Sequence, residues 1–157
     1  MSNKRQKQLD IINQRIKELN SIYHTAALRS GISDGEACIW SVLLSSKEEY
    51  SQRDLADLLS LPSQTVNSIV SNLGKKGYVT LAHVPGTRNK KTVHLTEAGR
   101  EYGKREVEWI FDAERKAIAK SDPEQIEIFI ELVESYIANL QEAMDGSHDC
   151  PNSVSNK

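Results

Sequence analysis

The stretch SQRDLADLLSLPSQTVNSIVSNLGKKGYV, residues 51–79, holds two short helical patterns separated by a break. Ser51 and Asp54 have the spacing of a helix N-terminus, because a side chain there can accept hydrogen bonds from the first turn. Pro62 disfavours helix at Leu61 and suits the first turn of a new helix. Apolar residues then recur at helical spacing at Val66, Ile69, Val70 and Leu73. The stretch therefore predicts a helix, a tight turn and a second helix.

The periodicity changes after the second helix. Gly77 fits the position that follows a helix end. Residues 78–84 alternate like a strand, residues 85–91 are a polar and basic turn, and residues 92–95 alternate again. This order predicts a β-hairpin with a cationic tip.

Two further helices are predicted upstream. Residues 7–28 carry apolar side chains at helical spacing, and Gly31 ends that pattern. Ser33 and Glu36 resemble a capping box, and the helix that they open is apolar around most of its circumference. We expect this helix to be central to the core.

Two long helices are predicted downstream. Thr96 is the expected N-cap of one whose apolar positions run to Ile118, and Pro123 opens another whose stripe runs to Met144. From Gly146 onward the chain is polar, and we expect it to be disordered.

Composition excludes several classes of protein. The chain has 157 residues, is 38% hydrophobic and 27% charged, and has a net charge of −2. No apolar run approaches the ~20 residues of a membrane span, so no membrane partner is expected. The N-terminus lacks a signal-peptide apolar core, which favours the cytoplasm. Two cysteines, Cys38 and Cys150, make no disulfide framework and fit a reducing compartment.

Charge is distributed unevenly along the chain. Residues 75–105 contain eight Lys or Arg against two acidic residues, whereas residues 106–149 contain twelve Asp or Glu against three basic ones. A basic middle and an acidic C-terminal arm therefore share one chain. Local charge, more than net charge, indicates the partner.

A helix, a tight break and a second helix form a helix-turn-helix, whose second helix lies in the DNA major groove. Its outward face offers seven uncharged polar side chains, which can bond bases or phosphates. These are Ser63, Gln64, Thr65, Asn67, Ser68, Ser71 and Asn72. The other expected contacts to double-stranded DNA lie at the helix ends and on the hairpin: Ser51, Gln52, Lys75, Arg88, Asn89, Lys90 and Lys91.

The order of these segments resembles the MarR family of bacterial regulators over residues 7–144. The most specific matches are LGKKGYV at 73–79 and LTEAG at 95–99. The resemblance implies a mainly α (α+β) winged helix-turn-helix with N- and C-terminal dimerisation helices. It also implies a homodimeric repressor that binds a palindromic operator and is released by a small ligand.

Two positions depart from the family pattern. Family wings usually carry an Asp one or two residues before a key Arg, but Gly86 and Thr87 precede Arg88 here. The family's recognition helix often has an Arg where this chain has Ser68. One customary base or phosphate contact is therefore replaced by a hydroxyl.

The expected organisation has four parts. Residues 1–30 form the N-terminal dimerisation helix, residues 31–98 the winged domain, residues 99–145 the C-terminal dimerisation helices and residues 146–157 the tail. The outer helices are too apolar to stay exposed, so we expect them to pack in a two-fold dimer. The dimerisation residues are Ile12, Ile16, Leu19, Ile126, Phe129, Ile130, Val133, Ile137 and Leu140.

An effector pocket, implied by the resemblance, has candidate lining residues Tyr23, His24, Trp40 and Trp109. The alternative is that the aromatic residues are core and His24 is solvated. Cys38, in an apolar helix, is interpreted as buried and inert, with a redox switch as the alternative. His83 and His94 lie on the two predicted strands, where they could pair across the hairpin, but two histidines alone make a poor metal site. No metal or cofactor is expected.

Two other classes of function are weighed. An enzyme would need a catalytic motif, and neither a Ser-His-Asp or Cys-His arrangement nor a phosphate-binding glycine loop is evident. A winged helix that binds proteins would present an apolar or acidic surface, whereas this one presents amides and a basic tip. Both comparisons favour a DNA-binding regulator over an enzyme or a protein-binding module.

Overall fold

The computed structural model describes residues 2–147, and all structural statements below concern that range. It contains seven helices and a two-stranded antiparallel sheet, which confirms the predicted mainly α fold with a wing. The elements are α1 (Asn3–Arg29), α2 (Asp34–Ser45), α3 (Gln52–Leu59), α4 (Ser63–Lys75), β1 (Val79–His83), β2 (Lys91–Leu95), α5 (Glu97–Glu106), α6 (Glu108–Ile118) and α7 (Pro123–Ser147). The chain divides into two compact units, the first ending at Ala113 and the second beginning at Glu114.

The helix-turn-helix forms where the local signals predict it. The Ser51 Oγ accepts from the Asp54 N–H at 3.2 Å, and the Asp54 carboxylate accepts from the Ser51 N–H at 2.9 Å. This reciprocal capping box starts α3. Ser60 adopts a left-handed conformation, with φ of 52°, and ends α3, after which Pro62 precedes α4. The turn between α3 and α4 is therefore set by Ser60, Leu61 and Pro62.

The predicted capping box of α2 forms only in part. The Ser33 Oγ accepts from the Glu36 N–H at 3.2 Å, as expected. The Glu36 carboxylate, however, accepts a hydrogen bond from the indole Nε1 of Trp40 at 3.3 Å. The indole of Trp40, one turn along the same helix, thus binds the carboxylate that a full capping box would direct to the Ser33 N–H.

Helix α2 is central to the core, as predicted, because Ile39 and Trp40 are fully buried. They belong to a cluster with Leu55, Val66 and Leu73 from the helix-turn-helix. Burial of these apolar side chains is the main term that holds the unit together.

A group of three aromatic rings joins α2, the segment between α4 and β1, and α5. Tyr78 and Tyr102 stack with ring centroids 4.5 Å apart, and Trp40 lies 5.6 Å from Tyr102. Burial raises the pKa of the Tyr102 hydroxyl. Gly99 and Gly103 are buried where α5 meets this stack. A Cβ at Gly99 would lie 2.0 Å from the Tyr78 carbonyl oxygen, so only glycine permits this approach.

Strands β1 and β2 pair from Val79 opposite Leu95 to His83 opposite Lys91. The Val93 N–H also donates to the Tyr50 carbonyl at 2.8 Å, which ties the wing to the segment before α3. The suggested pairing of His83 with His94 is wrong, because this register places His94 opposite Thr80. Among residues 2–147 no group of His, Cys, Asp or Glu has a metal-binding arrangement.

The helix that Thr96 opens is shorter than predicted. The Thr96 Oγ1 accepts from the Gly99 N–H at 3.0 Å, which confirms the N-cap. The helix is interrupted at Val107, which has φ of −122° and is fully buried. The prediction of one helix continuing to Ile118 is therefore wrong, because the break lets Val107 and Ile110 both enter the core.

The second unit consists of the end of α6 and the long helix α7. The Asp122 carboxylate accepts from the backbone N–H groups of Glu124 and Gln125 at the start of α7. Helix α7 continues to Ser147, just past the expected start of the disordered tail at Gly146. The rest of that tail, with Cys150, lies outside the described residues. No helix within residues 2–147 is both long and apolar enough to cross a membrane.

Candidate nucleic-acid interface

Helix α4 has one buried face and one polar face. Val66, Val70 and Leu73 are buried and fix the rotation of the helix against the core. The opposite side, called here the polar face of α4, consists of Ser63, Gln64, Thr65, Asn67, Ser68, Ser71 and Asn72, and all seven residues are exposed. None of these side chains makes a hydrogen bond or ion pair within the part of the chain that the structure describes. Their donors and acceptors are therefore available to a partner.

An open cleft of about 800 Å³ brings together residues from three elements that the sequence places apart. The start of α3 contributes Ser51 and Gln52, α4 contributes Ser63 and Asn67, and the hairpin contributes residues 89–91. These are seven of the predicted DNA contacts. The fold thus assembles them around one concave surface beside the polar face of α4.

Three residues of this cleft, Arg53, Asp54 and Asp57, were not among the predicted contacts. Arg53 is almost fully exposed and lies 3.9 Å from the Asp57 carboxylate, one helical turn away. Its place in the first turn of a helix-turn-helix, where a cation lies near DNA phosphates, was the available signal.

The hairpin tip, residues 84–90, is held by its own backbone and by a contact to α3. The Val84 carbonyl accepts from the Thr87 N–H at 3.2 Å and from the Thr87 Oγ1 at 2.8 Å. Gly86 has φ of 79°, which favours glycine at this turn. Thr87 therefore stabilises the turn at a position where an acid is customary, and Arg88 is exposed.

Lys90 links the tip to the helix-turn-helix. Its Nζ lies 3.4 Å from the Asp54 carboxylate. The pKa of Asp54 is lowered, first by the hydrogen bonds from Ser51 and to a smaller degree by the charge of Lys90. The same carboxylate thus caps α3 and holds the wing beside it. Lys90 is partly neutralised by this contact, whereas Arg88 and Lys91 make no ion pair within the described range.

The four candidate effector-binding residues lie in different surroundings. Trp40 is fully buried in the aromatic stack. His24, on α1, pairs with Asp34 at 2.9 Å and joins α1 to the start of α2. The Trp109 Nε1 donates to the Ser30 Oγ at 3.0 Å, and Arg29 lies over its ring. Tyr23 is exposed on α1. Trp40 is therefore accessible to a ligand only after rearrangement of the core.

The interpretation of Cys38 as buried is wrong, because Cys38 is exposed on α2. Its neighbours Ile39 and Trp40 take the core-facing positions, and a residue directly before them on a helix points elsewhere. Burial therefore does not protect the Cys38 thiol from reaction with solvent species.

Comparisons with known proteins agree with this geometry. Residues 43–80 match the model of the winged helix-turn-helix DNA-binding family. The fold is similar to a MarR family regulator from Neisseria meningitidis, with a TM-score of 0.77 and 18% identity, over 89% of this chain and 98% of that one. A MarR/EmrR family transcriptional regulator from Acinetobacter sp. ADP1 has a TM-score of 0.68 and 21% identity, over 90% and 99% of the two chains.

A third similar structure is the complex of Staphylococcus aureus MepR with DNA. It has a TM-score of 0.63 and 14% identity, and the match covers 83% of this chain and 95% of that one. A comparison with curated protein sequences gives no match. The chain therefore carries a winged helix-turn-helix of the DNA-binding class. The predicted resemblance to MarR family regulators is confirmed at the level of the fold.

Proposed function

We propose that this protein is a dimeric transcriptional repressor that binds a palindromic operator and leaves it when a small effector binds. The observation that carries the proposal is the polar face of α4, whose seven exposed side chains have no partner among the described residues. It lies beside a cleft lined by Asn89, Lys90 and Lys91 of the hairpin. A structured face of unused amides and hydroxyls next to cations matches what duplex DNA offers.

In this proposal α4 enters the major groove, where its N-terminal residues contact the base edges. Arg88 and Lys91 on the hairpin contact phosphates or the adjacent minor groove. The backbone phosphates supply most of the affinity, and α4 supplies the sequence preference. DNA bound in this way would block access of the polymerase to a promoter that contains the operator.

Dimerisation is supported by apolar side chains that the monomer leaves exposed. On α1 these include Ile12, Ile16 and Leu19, and on α7 they include Ile137 and Leu140. The stripe of α7 repeats every three to four residues, at Ile126, Ile130, Val133, Ile137, Leu140 and Met144. That spacing forms a seam for another helix. Two-fold symmetry would place two recognition helices about one DNA turn apart.

The dimer is tested by size-exclusion chromatography with light scattering at micromolar concentration. We expect a dimer for the wild type and a shift towards monomer for Ile137→Glu, because a carboxylate is costly in an apolar seam. Ala138→Glu, at an exposed position on the acidic side of the same helix between Glu134 and Glu142, is the matched control and should leave the mass unchanged. A monomeric wild type would contradict the dimer.

DNA binding is tested by a gel-shift assay with the DNA upstream of the protein's own gene. Arg88→Ala should weaken binding to all sequences and reduce the salt dependence, because it removes a cation. Gln64→Ala should relax sequence preference with a smaller loss of non-specific affinity. Unchanged binding in both variants would contradict the assigned contacts. Absence of binding by the wild type at low salt would favour a protein-binding winged helix instead.

Release by an effector is tested by fluorescence together with operator binding. Tyr23, His24 and Trp109 are the candidates with exposed surface, and Trp109 offers an intrinsic fluorescence signal. Saturable quenching by a small molecule, lost in Trp109→Phe, together with weaker operator binding, would support release by an effector. An effector that lowers operator affinity with unchanged fluorescence would place its site elsewhere.

A further inference from the structure

The polar face of α4 lacks charged side chains throughout its length. From Ser63 to Asn72 the helix contains no Arg, Lys, Asp or Glu, and its first charged residue is Lys75 in the last turn. The amides on this face are those of Gln64, Asn67 and Asn72, and all are exposed. The chemistry of base recognition at this helix is therefore limited to amides and hydroxyls.

These groups do not recognise the four bases equally. In the major groove guanine is read mainly by Arg or Lys at O6 and N7, and cytosine by a carboxylate at its amino group. Adenine is read by Asn or Gln, whose amide accepts from N6 and donates to N7. The face carries the adenine-reading groups and neither of the others. We infer that the operator half-site is recognised at A·T pairs, chiefly through adenines contacted by Gln64 and Asn67.

The positions of these two amides support this assignment. Gln64 is the second residue of α4, and Asn67 follows three residues later, so both lie on the N-terminal part of the helix. Recognition helices contact base edges with that part. Asn67 also lines the cleft beside the hairpin. Val66 and Val70 are buried, which keeps the amides directed away from the core.

Apart from Lys75 in the last turn of α4, the nearby cations belong to other elements. Arg53 lies on α3 beside the Asp57 carboxylate, and Lys90 is held by Asp54. Arg88 lies on the hairpin. A cation beside a carboxylate or on a wing is suited to phosphates or to the minor groove. Of the cations that line this cleft, Arg53 is the one on the helix-turn-helix, so Arg53→Gln tests whether it reads guanine.

The inference rests on the proposed DNA binding and is tested with the full-length chain. Binding sites are first selected from random duplex DNA. The selected site is then synthesised with 7-deazaadenine or 7-deazaguanine at single positions, which removes the N7 acceptor of one base. We expect 7-deazaadenine to weaken binding by about fivefold or more at one position in each half-site. 7-Deazaguanine should leave the affinity unchanged.

A substitution at Gln64 tests which residue reads the adenine. Gln64→Glu preserves size but replaces the amide donor with a carboxylate, which accepts from the cytosine amino group. The preference at one position should change from adenine to cytosine. Gln141→Glu alters the net charge equally on α7 and should leave the preference unchanged. An unaltered preference in Gln64→Glu would overturn the role of Gln64.

The outcomes separate this inference from the proposed function. Selected sites with G·C pairs at the contacted positions, weakened by 7-deazaguanine, would overturn the inference and leave DNA binding intact. If Arg53→Gln then removed that sensitivity, Arg53 would be the reader of guanine. Selection that enriches no sequence, with no salt-dependent binding to any duplex, would overturn the proposed function and the inference together.

Discussion

Replacing Gly99 with alanine tests how closely α5 approaches the end of the helix-turn-helix. The added Cβ would lie 2.0 Å from the Tyr78 carbonyl oxygen and 2.8 Å from its carbonyl carbon, where ordinary contacts begin at 3.4 Å. These are backbone atoms, so no side-chain rotation relieves the overlap. The same carbonyl accepts a hydrogen bond from the Thr96 N–H at 3.0 Å. Gly99→Ala must therefore displace α5 or break that bond.

The free energy of unfolding should fall in this variant. Overpacking costs about 1–3 kcal/mol, and loss of a backbone hydrogen bond costs about 1 kcal/mol. The helix propensity of alanine offsets about 1 kcal/mol. The net loss should be about 2 kcal/mol, which for a chain of this size lowers the Tm by roughly 4–8 °C.

The measurement is urea denaturation followed by circular dichroism at fixed protein concentration, because dimerisation would make stability depend on concentration. Gly74→Ala is the matched control, since its Cβ would lie 3.9 Å from the Val79 carbonyl oxygen. The control should be more stable than the wild type by up to about 1 kcal/mol. If Gly99→Ala were as stable as the wild type, the close approach of α5 to Tyr78 would be refuted.

Three further predictions concern the same unit. Gly103→Ala should destabilise less than Gly99→Ala, because its Cβ would meet side-chain atoms of Leu44 and Trp40 at 2.9 Å, whereas the Cβ at position 99 would meet a backbone oxygen at 2.0 Å; an equal or larger fall in the urea midpoint would contradict this. The lowered pKa of Asp54 stabilises the fold above its ordinary value of 3.8, and this stabilisation is lost as pH falls through the folded-state pKa. In Asp54→Asn the free energy of unfolding should therefore fall less between neutral and acid pH than in the wild type. An identical fall in both proteins would exclude a stabilising role of the Asp54 carboxylate. Lys90→Gln should cost less than about 1 kcal/mol, because its ion pair is half exposed; a larger loss, or an equal loss in Lys91→Gln, would argue against this ion pair.

Much of the fold follows from signals that act within one or two helical turns. Ser51 and Asp54 are three residues apart, and the capping box that they form starts α3. Gly77, with φ of 77°, and the Thr96 N-cap likewise lie where their local conformations predict them. The polar face of α4 follows from helical periodicity alone, because the spacing of residues along a helix determines which of them share a face.

Other features depend on contacts between residues far apart in the chain, and the sequence pattern predicts them wrongly. Val107 interrupts a predicted helix, and its side chain is fully buried in the core. Cys38 is exposed although its neighbours are apolar. Each outcome depends on which side of a helix meets the rest of the molecule.

The sequence by itself determined the succession of helices and strands, except for the break between α5 and α6, and the chemistry of the polar face of α4. Caps, turns and periodicity are local properties. Only the tertiary structure decided that Asp54 holds Lys90, that the hairpin and α3 share one cleft, and that α5 approaches Tyr78 without a Cβ between them. These are distances between separate segments, and they are set by how the whole unit buries its apolar surface.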